Sequence, residues 1–156
     1  MVGLIASTIK TARRIMSGLR PELLEINGFV GATTSYLREF EDRHSISCQF
    51  VSEISNVEMN PQQSLAFYRI LQESLNNIAK HSKATSVKVH LRNECNKLIL
   101  EIIDNGIGFD INNCGRKDSY GMIGMRERVV ILNGELILES NIGQGTCVRI
   151  EMPLNV

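Results

Sequence analysis

The feature that most constrains this chain is an acidic, glycine-containing stretch, Asp104-Asn105-Gly106-Ile107-Gly108-Phe109-Asp110, that directly follows an apolar run. The run, residues 98–103, is typical of a buried β-strand. A carboxylate and two glycines therefore lie close together at the end of a predicted strand, a place where binding residues are often found. Asp-Asn-Gly is also a strong turn signal, so the stretch alone is compatible with a plain tight turn.

Length and composition limit the classes of protein. A chain of 156 residues is sufficient for one domain with a substantial core. Lys plus Arg and Asp plus Glu are equal at 17 each, so no basic surplus favours nucleic acid as a partner, and any phosphate recognition must be local. The four cysteines form no Cys-x-x-Cys pair and no run approaches a membrane span, so we expect a cytoplasmic protein without structural zinc.

Two helices are predicted in the N-terminal part. Residues 3–20 carry apolar side chains at alternating spacings of four and three, which is typical of a helix that packs on a partner helix or folds back on its own domain. Arg20-Pro21 ends this helix. A second helical pattern covers residues 23–40, and the charged stretch 39–44 follows it.

Alternating helical and strand patterns fill the rest of the chain. Asn60-Pro61 begins a helix that the pattern extends to His81. A helix beginning near Ser119 is predicted to end at Asn133-Gly134. The predicted strands are 46–51, a hairpin formed by 87–91 and 98–103, and the final pair 136–138 and 146–152.

The helix after Pro61 has an apolar side and a polar side. Phe67, Leu71, Leu75 and Ile78 project to one side, and Glu73, Asn77 and Lys80 project to the other. The polar side is compatible with a solvated surface, but it also aligns the groups that bind a magnesium polyphosphate. The oxygens of Asn77 and Glu73 suit Mg²⁺, Glu73 can orient or deprotonate a nucleophile, and Lys80 adds a positive charge.

Other phosphate and metal motifs are absent from the sequence. No P-loop pattern and no Gly-x-Gly-x-x-Gly at the start of a helix occurs. A calcium-binding loop starting at Asp110 also fails, because Cys114 and Gly121 occupy positions that need oxygen ligands.

Four segments resemble, in order, the motifs of the ATP-binding domain of bacterial sensor histidine kinases, within the superfamily that includes gyrase, Hsp90 and MutL. They are Glu73-Ser74-Leu75-Asn76-Asn77-Ile78-Ala79-Lys80-His81, Asp104-Asn105-Gly106-Ile107-Gly108-Phe109, Gly121-Met122-Ile123-Gly124-Met125-Arg126-Glu127-Arg128 and Gly143-Gln144-Gly145-Thr146. The residues of the first and third segments are similar to the motifs of the subfamily that contains the nitrate sensors and the membrane-fluidity thermosensor.

This resemblance implies an α+β fold of the Bergerat type, a two-layer α/β sandwich with a mixed sheet and helices on one face. Residues 1–20 would be the tail of a dimerisation helix, and 21–156 the ATP-binding catalytic domain. The implied cofactors are ATP and Mg²⁺. The implied partners are the dimerisation and phosphoacceptor domain, within a homodimeric and possibly membrane-anchored parent protein, and a response regulator receiver domain.

The resemblance also implies residue roles. Asp104 would accept a hydrogen bond from the adenine amino group with Thr146 beside the ring, and Glu73 would be catalytic. Gly106 and Gly108 would leave room for the nucleotide, and Gly121 and Gly124 would lie under the phosphates at a helix N-terminus. Residues 110–120 would form a lid, with Arg116 and Lys117 as phosphate contacts or solvated charges. The implied ATP-binding set is Asn77, Lys80, His81, Asp104, Gly106, Gly108, Gly121, Gly124 and Thr146.

The phosphoacceptor histidine of that family has no counterpart here. None of His44, His81 and His90 lies in the expected Arg-rich and acidic context, so we expect a catalytic fragment that binds ATP with little turnover. Its parent protein would transfer the γ-phosphate to a histidine for relay to the regulator. The alternatives are a serine kinase or another ATPase of the superfamily, and a nucleotide-binding module used only for interaction.

Overall fold

The structure, a computed structural model, describes residues 21–54, 59–111 and 119–154. Its elements are helix α1 (Pro21–His44), strand β1 (Ser47–Ser52), helix α2 (Pro61–Asn77), strands β2 (Ser86–Glu94) and β3 (Lys97–Asp104), helix α3 (Ser119–Ile131), and strands β4 (Glu135–Asn141) and β5 (Gly145–Pro153). None of the helices in these ranges combines the length with the apolar character that a membrane span requires. The predicted dimerisation tail, residues 1–20, and residues 112–118 of the predicted lid lie outside the described residues.

The strands form one mixed sheet in the order β1-β2-β3-β5-β4. β1 and β2 run parallel, and the other neighbouring strands are antiparallel. The predicted hairpin is confirmed as β2 and β3, and its two turn residues, Cys95 and Asn96, both have positive φ. Such a turn matches the natural twist of a hairpin. The helices cover one face of this sheet, so the predicted α+β sandwich is confirmed.

The core lies between α2 and the central strands. Phe67, Leu71 and Leu75 of α2 are fully buried, as the helical periodicity predicts. They pack with the alternate apolar residues of the strands, Val87, Val89, Leu91, Leu98, Leu100, Ile102, Val148, Ile150 and Met152. Burial of each such side chain contributes about 1.5–3 kcal/mol, so these contacts hold α2 against β3 and β5.

The start of α2 is held by a capping box that the Asn60-Pro61 pair predicts. The Gln63 backbone N–H donates to Asn60 Oδ1 at 2.8 Å, and the Asn60 N–H donates to Gln63 Oε1 at 3.2 Å. The buried Gln63 also donates from Nε2 to the Pro153 carbonyl at 2.8 Å. The cap therefore connects the helix start to the end of β5.

Helix α1 continues past the predicted end at Phe40 and includes the charged stretch as far as His44. Arg43 donates to Glu39 one turn earlier at 2.5 Å, a pairing that supports the additional turn. Gly28, with φ of 64°, interrupts the helical backbone near its start. The sequence pattern predicted neither the interruption nor the full length.

The prediction that one α-helix continues to His81 is wrong in its last turn. α2 ends at Asn77, and Ile78–Ser82 form a wider π-helical turn. The Ser82 hydroxyl donates to the Ile78 carbonyl at 2.8 Å and accepts from the Ala84 N–H at 3.0 Å. These side-chain bonds replace α-helical ones, and Lys83, with φ of 54°, ends the turn.

The sheet face opposite the helices carries cross-strand ion pairs. Arg92 of β2 donates from Nη1 and Nη2 to the two oxygens of Glu101 on β3, the latter at 3.1 Å. Arg149 lies on the other side of Glu101, and Lys97 pairs with Glu151 at 2.9 Å. The Arg92 guanidinium lowers the pKa of Glu101. These pairs link β2, β3 and β5 on the face away from the core.

Replacing Glu101 by Gln should lower the free energy of unfolding by about 1.5 kcal/mol at pH 7, because a charge-assisted bond is lost. The pKa of Glu101 is lowered in the fold, so its contribution is present above the ordinary carboxyl pKa and disappears as the pH falls through the lowered value. Urea unfolding of wild type and variant measures their difference in unfolding free energy at pH 7 and at about pH 3, and the difference should be smaller at the lower pH. The control is Glu94→Gln, at an exposed partner of Arg92, with an expected loss under about 1 kcal/mol. Equal losses would contradict the role of the Arg92–Glu101 pair.

Candidate functional site

Asp104 is a buried carboxylate at the C-terminal end of β3. Its exposed fraction is 4%, and its Oδ1 accepts a hydrogen bond from the Gly106 N–H at 2.7 Å. Burial raises the pKa of Asp104, and the backbone N–H groups of Gly106 and Thr146 act in the opposite direction. A perturbed carboxylate of this kind is typical of a functional site.

Sheet register brings Asp104 together with two hydroxyl side chains. Asp104 is directly opposite Thr146 on β5, and Thr146 is directly opposite Ser140 on β4. Residues paired in this way point to the same face of the sheet. The predicted neighbours Asp104 and Thr146 are therefore adjacent in the structure.

The loop after Asp104 contains the turn that Asp-Asn-Gly predicts. The side-chain oxygen of Asp104 accepts from the backbone two residues on, which is an Asx-turn. The Ile107 N–H then donates to the Ser82 carbonyl at 2.7 Å, so the loop lies against the end of the π-helical turn. The turn is thus part of the site and not an alternative to it.

Gly106 and Gly108 are required by contacts within the protein. A Cβ on Gly106 would lie 2.2 Å from the Ser82 carbonyl oxygen, and one on Gly108 would lie 2.0 Å from the Asn141 carbonyl oxygen. Gly108 also has φ of 59°, a conformation that favours glycine. The family resemblance predicts that these glycines leave room for a nucleotide. The contacts within the protein are a second reason why glycine is needed at both positions. Their roles in ATP binding stay predictions.

Asn105 is a site residue that sequence reasoning missed. Its Oδ1 accepts from the Thr85 and Ser86 N–H groups at 2.9 and 3.0 Å, and its Nδ2 donates to Thr85 Oγ1 at 2.9 Å. These bonds fasten the loop to the start of β2. The sequence places Asn105 next to Asp104, but nothing in it identifies the distant partners.

The polar side of α2 lies against the second glycine motif. Glu73 and Asn77 are half-buried, and a Cβ on Gly121 would lie 2.4 Å from Glu73 Oε1. The structure therefore brings the helix motif and α3 together. Lys80 and His81 are exposed and belong to the π-helical turn, so they do not continue the α-helical stripe of Glu73 and Asn77.

The first turns of α3 contain the glycines that were predicted to lie under phosphates. Gly121 lies in the first turn, where backbone N–H groups have no partner within the helix. Gly124 lies one turn further on, beyond the four free N–H groups, and its carbonyl accepts from Arg128 at 2.8 Å. The argument from a free helix terminus therefore applies to Gly121 and not to Gly124.

The donor set of this site fits magnesium better than a softer metal. The described ranges contain no group of three or more His, Cys, Asp or Glu side chains that could hold a metal ion. Mg²⁺ needs only one or two protein oxygens when phosphates and water complete its coordination. Glu73 and Asn77, one helical turn apart, supply a carboxylate and an amide oxygen, so their chemistry fits.

The chain is similar in sequence to known ATPases and histidine kinases. Residues 62–156 match the sequence profile of the histidine kinase-, DNA gyrase B-, and HSP90-like ATPase family. The chain is 33% identical over 152 residues to the signal transduction histidine-protein kinase/phosphatase DegS of Brevibacillus brevis. That alignment covers 97% of this chain and 39% of the relative, so the chain spans about two fifths of that protein.

Solved structures share the fold at lower identity. The histidine kinase domain of the blue-light activated histidine kinase from Erythrobacter litoralis EL346 matches with a TM-score of 0.65 at 22% identity, covering 80% of this chain and 58% of that chain. The histidine kinase AdeS of Acinetobacter baumannii matches with a TM-score of 0.69 at 15% identity, covering 99% and 84%. At these identities the similarity shows the arrangement of elements.

Replacing Asp104 by Asn should make the ligand-free protein more stable at neutral pH. The raised pKa of Asp104 means that the fold favours its neutral form, so the charged form reduces stability as the pH rises through the folded pKa. Thermal unfolding of wild type and variant from pH 4 to pH 8 should show the variant's advantage growing with pH. A variant that is less stable across the whole range would contradict a destabilising buried charge.

Proposed function

The chain belongs to the histidine kinase-, DNA gyrase B-, and HSP90-like ATPase family, and we propose that it is the ATP-binding catalytic domain of a sensor histidine kinase. The name of the DegS relative, which aligns with nearly the whole chain, supports the kinase branch of this family. Residues 21–156 would form the catalytic domain, and residues 1–20 the tail of a dimerisation helix.

The observation that carries the proposal is the buried Asp104 carboxylate. Its charge is held away from water beside Thr146, and the described hydrogen bond to its side chain comes from the Gly106 backbone. A buried carboxylate is costly even with backbone donors beside it, and a ligand that donates a further hydrogen bond offsets part of that cost. The exocyclic amino group of adenine is such a donor, so we assign the base of ATP to Asp104 and Thr146.

The phosphate end of the nucleotide is assigned to the polar side of α2 and the start of α3. Asn77 and Glu73 would hold Mg²⁺, which neutralises charge on the phosphate oxygens when bound. The free N–H groups near Gly121 suit an anion, and Lys80 and His81 add polar contacts from the adjoining turn. Glu73 would orient the incoming nucleophile and accept its proton.

The nucleophile is proposed to be a histidine of the dimerisation domain of a homodimeric parent protein, with transfer onward to an aspartate of a response regulator. The histidines of this chain have other surroundings. His44 and His81 are exposed, and His90 contacts Glu53 at 2.7 Å on the far face of the sheet. We infer that this chemistry takes place on the cytoplasmic side.

Saturating Mg·ADP should raise the melting temperature of the wild-type protein by about 5–10 °C, since ligand at 100 times its Kd stabilises the fold by roughly 2.7 kcal/mol. Asp104→Asn should abolish the shift, because the variant loses the charged acceptor. Asp42→Asn, at an exposed position on α1, is the matched control and should keep the shift. A full shift in Asp104→Asn would show that adenine is recognised elsewhere.

Addition of the dimerisation domain and labelled ATP should produce an acid-labile phosphate on that domain. Glu73→Gln should reduce the rate by about 100-fold or more, because it removes the general base, and Glu94→Gln on the distant hairpin should not. Acid and alkali treatment of the product identifies the phosphorylated residue. An acid-stable phosphoserine would point to a serine kinase, and nucleotide binding without any transfer would point to an interaction module.

A further inference from the structure

Ser140 of β4 is a buried hydroxyl with three polar contacts. Its Oγ accepts from the Phe109 N–H at 2.9 Å, donates to the Gly145 carbonyl at 3.1 Å, and lies 3.0 Å from Thr146 Oγ1. It is 8% exposed. A serine hydroxyl has one proton to donate and two lone pairs, so three contacts use its full capacity.

The chemistry of these partners determines the direction of each bond. The Phe109 N–H can only donate, and the Gly145 carbonyl can only accept. The single Ser140 proton therefore goes to Gly145, and one lone pair receives the Phe109 N–H. For the third contact to be a hydrogen bond, Thr146 must donate its hydroxyl proton to the remaining lone pair of Ser140.

This assignment restricts what Thr146 can offer a ligand. With its proton committed to Ser140, the Thr146 oxygen has only lone pairs left. Its neighbour across β5 and β3 is the Asp104 carboxylate, which also accepts when ionised. The row Ser140–Thr146–Asp104 thus presents two side-chain acceptors next to one another and no side-chain donor.

We propose that Ser140 is a positioning residue that makes the nucleotide site selective for purines with an amino group rather than a carbonyl at C6, because it holds Thr146 as an acceptor beside Asp104. An amino group donates to such a pair, whereas a ring carbonyl at the same place would face two acceptors. This inference rests on the proposed function and adds a residue that governs which purine is accepted.

The contact with Phe109 gives Ser140 a second positional role. Phe109 directly follows Gly108, whose backbone is packed against Asn141. One hydroxyl therefore connects the end of the glycine loop to the row that contains Thr146. Loss of this bond should weaken the binding of any purine nucleotide equally, so the ratio of the Kd values for two bases stays the same. A loss of selectivity, in contrast, changes that ratio.

The test compares ADP with inosine diphosphate, in which a carbonyl replaces the amino group. Calorimetric Kd values are measured with Mg²⁺ for wild type, Ser140→Ala, Thr146→Val and the double variant. Wild type should favour ADP, and Ser140→Ala should reduce the ADP preference about tenfold, because the freed Thr146 hydroxyl can donate to the carbonyl. In the Thr146→Val background, Ser140→Ala should leave the ratio unchanged. Ser35→Ala, at an exposed helix position, is the matched control.

An unchanged ADP preference in Ser140→Ala, or an equal reduction in the Thr146→Val background, would overturn the inference while leaving ATP binding intact. If Ser140→Ala does not fold, Ser140→Cys replaces it, since a thiol accepts hydrogen bonds only weakly and must also lower the ADP preference if Ser140 holds the Thr146 proton. Wild type that binds neither nucleotide would overturn the proposed function itself.

Discussion

The site depends on one unfavourable placement, a carboxylate buried at the end of a central strand. The fold favours the neutral form of Asp104, yet the backbone N–H groups around it partly compensate the charge. The Gly106 N–H is brought to Asp104 by the tight turn after β3, which packs on the Ser82 carbonyl, and the Thr146 N–H by the pairing of β5 with β3. Asn105 and the absence of a Cβ on Gly106 make that packing feasible.

Helix α2 connects this carboxylate to the rest of the site, because its two sides contact different parts of the protein. Its apolar side is buried against β3 and β5 and fixes the height of the helix over the sheet. Its polar side then places Glu73 against Gly121 of α3. The π-helical turn that follows carries Lys80 and His81 and presents the Ser82 carbonyl to the glycine loop. A change in this turn would therefore move both the glycine loop and the two residues that we propose as phosphate contacts.

Most of the fold could be predicted from the sequence because its signals are local. The period of apolar residues identified α2, alternation identified β2, and Asn60-Pro61 identified a helix start that the capping box confirms. Predictions were weaker where a single side chain changes the backbone. Ser82 bonds to the Ile78 carbonyl within the wider turn that ends α2, and Arg43 pairs with Glu39 in the part of α1 past Phe40. The match over residues 62–156 confirms the predicted family, and the individual residue roles are proposals.

The sequence by itself determined the order of elements, the acidic glycine loop at a strand end and the two-sided character of α2. Those properties depend on residues close together along the chain, so periodicity and turn chemistry reveal them. Only the tertiary structure decided that Ser140, Thr146 and Asp104 form one row, since strand register is a long-range pairing with no local signal. The same holds for Asn105 and for Glu73 beside Gly121, whose partners come from distant segments. The surroundings of the glycine loop are therefore set by contacts across the sheet, although the loop itself is evident in the sequence.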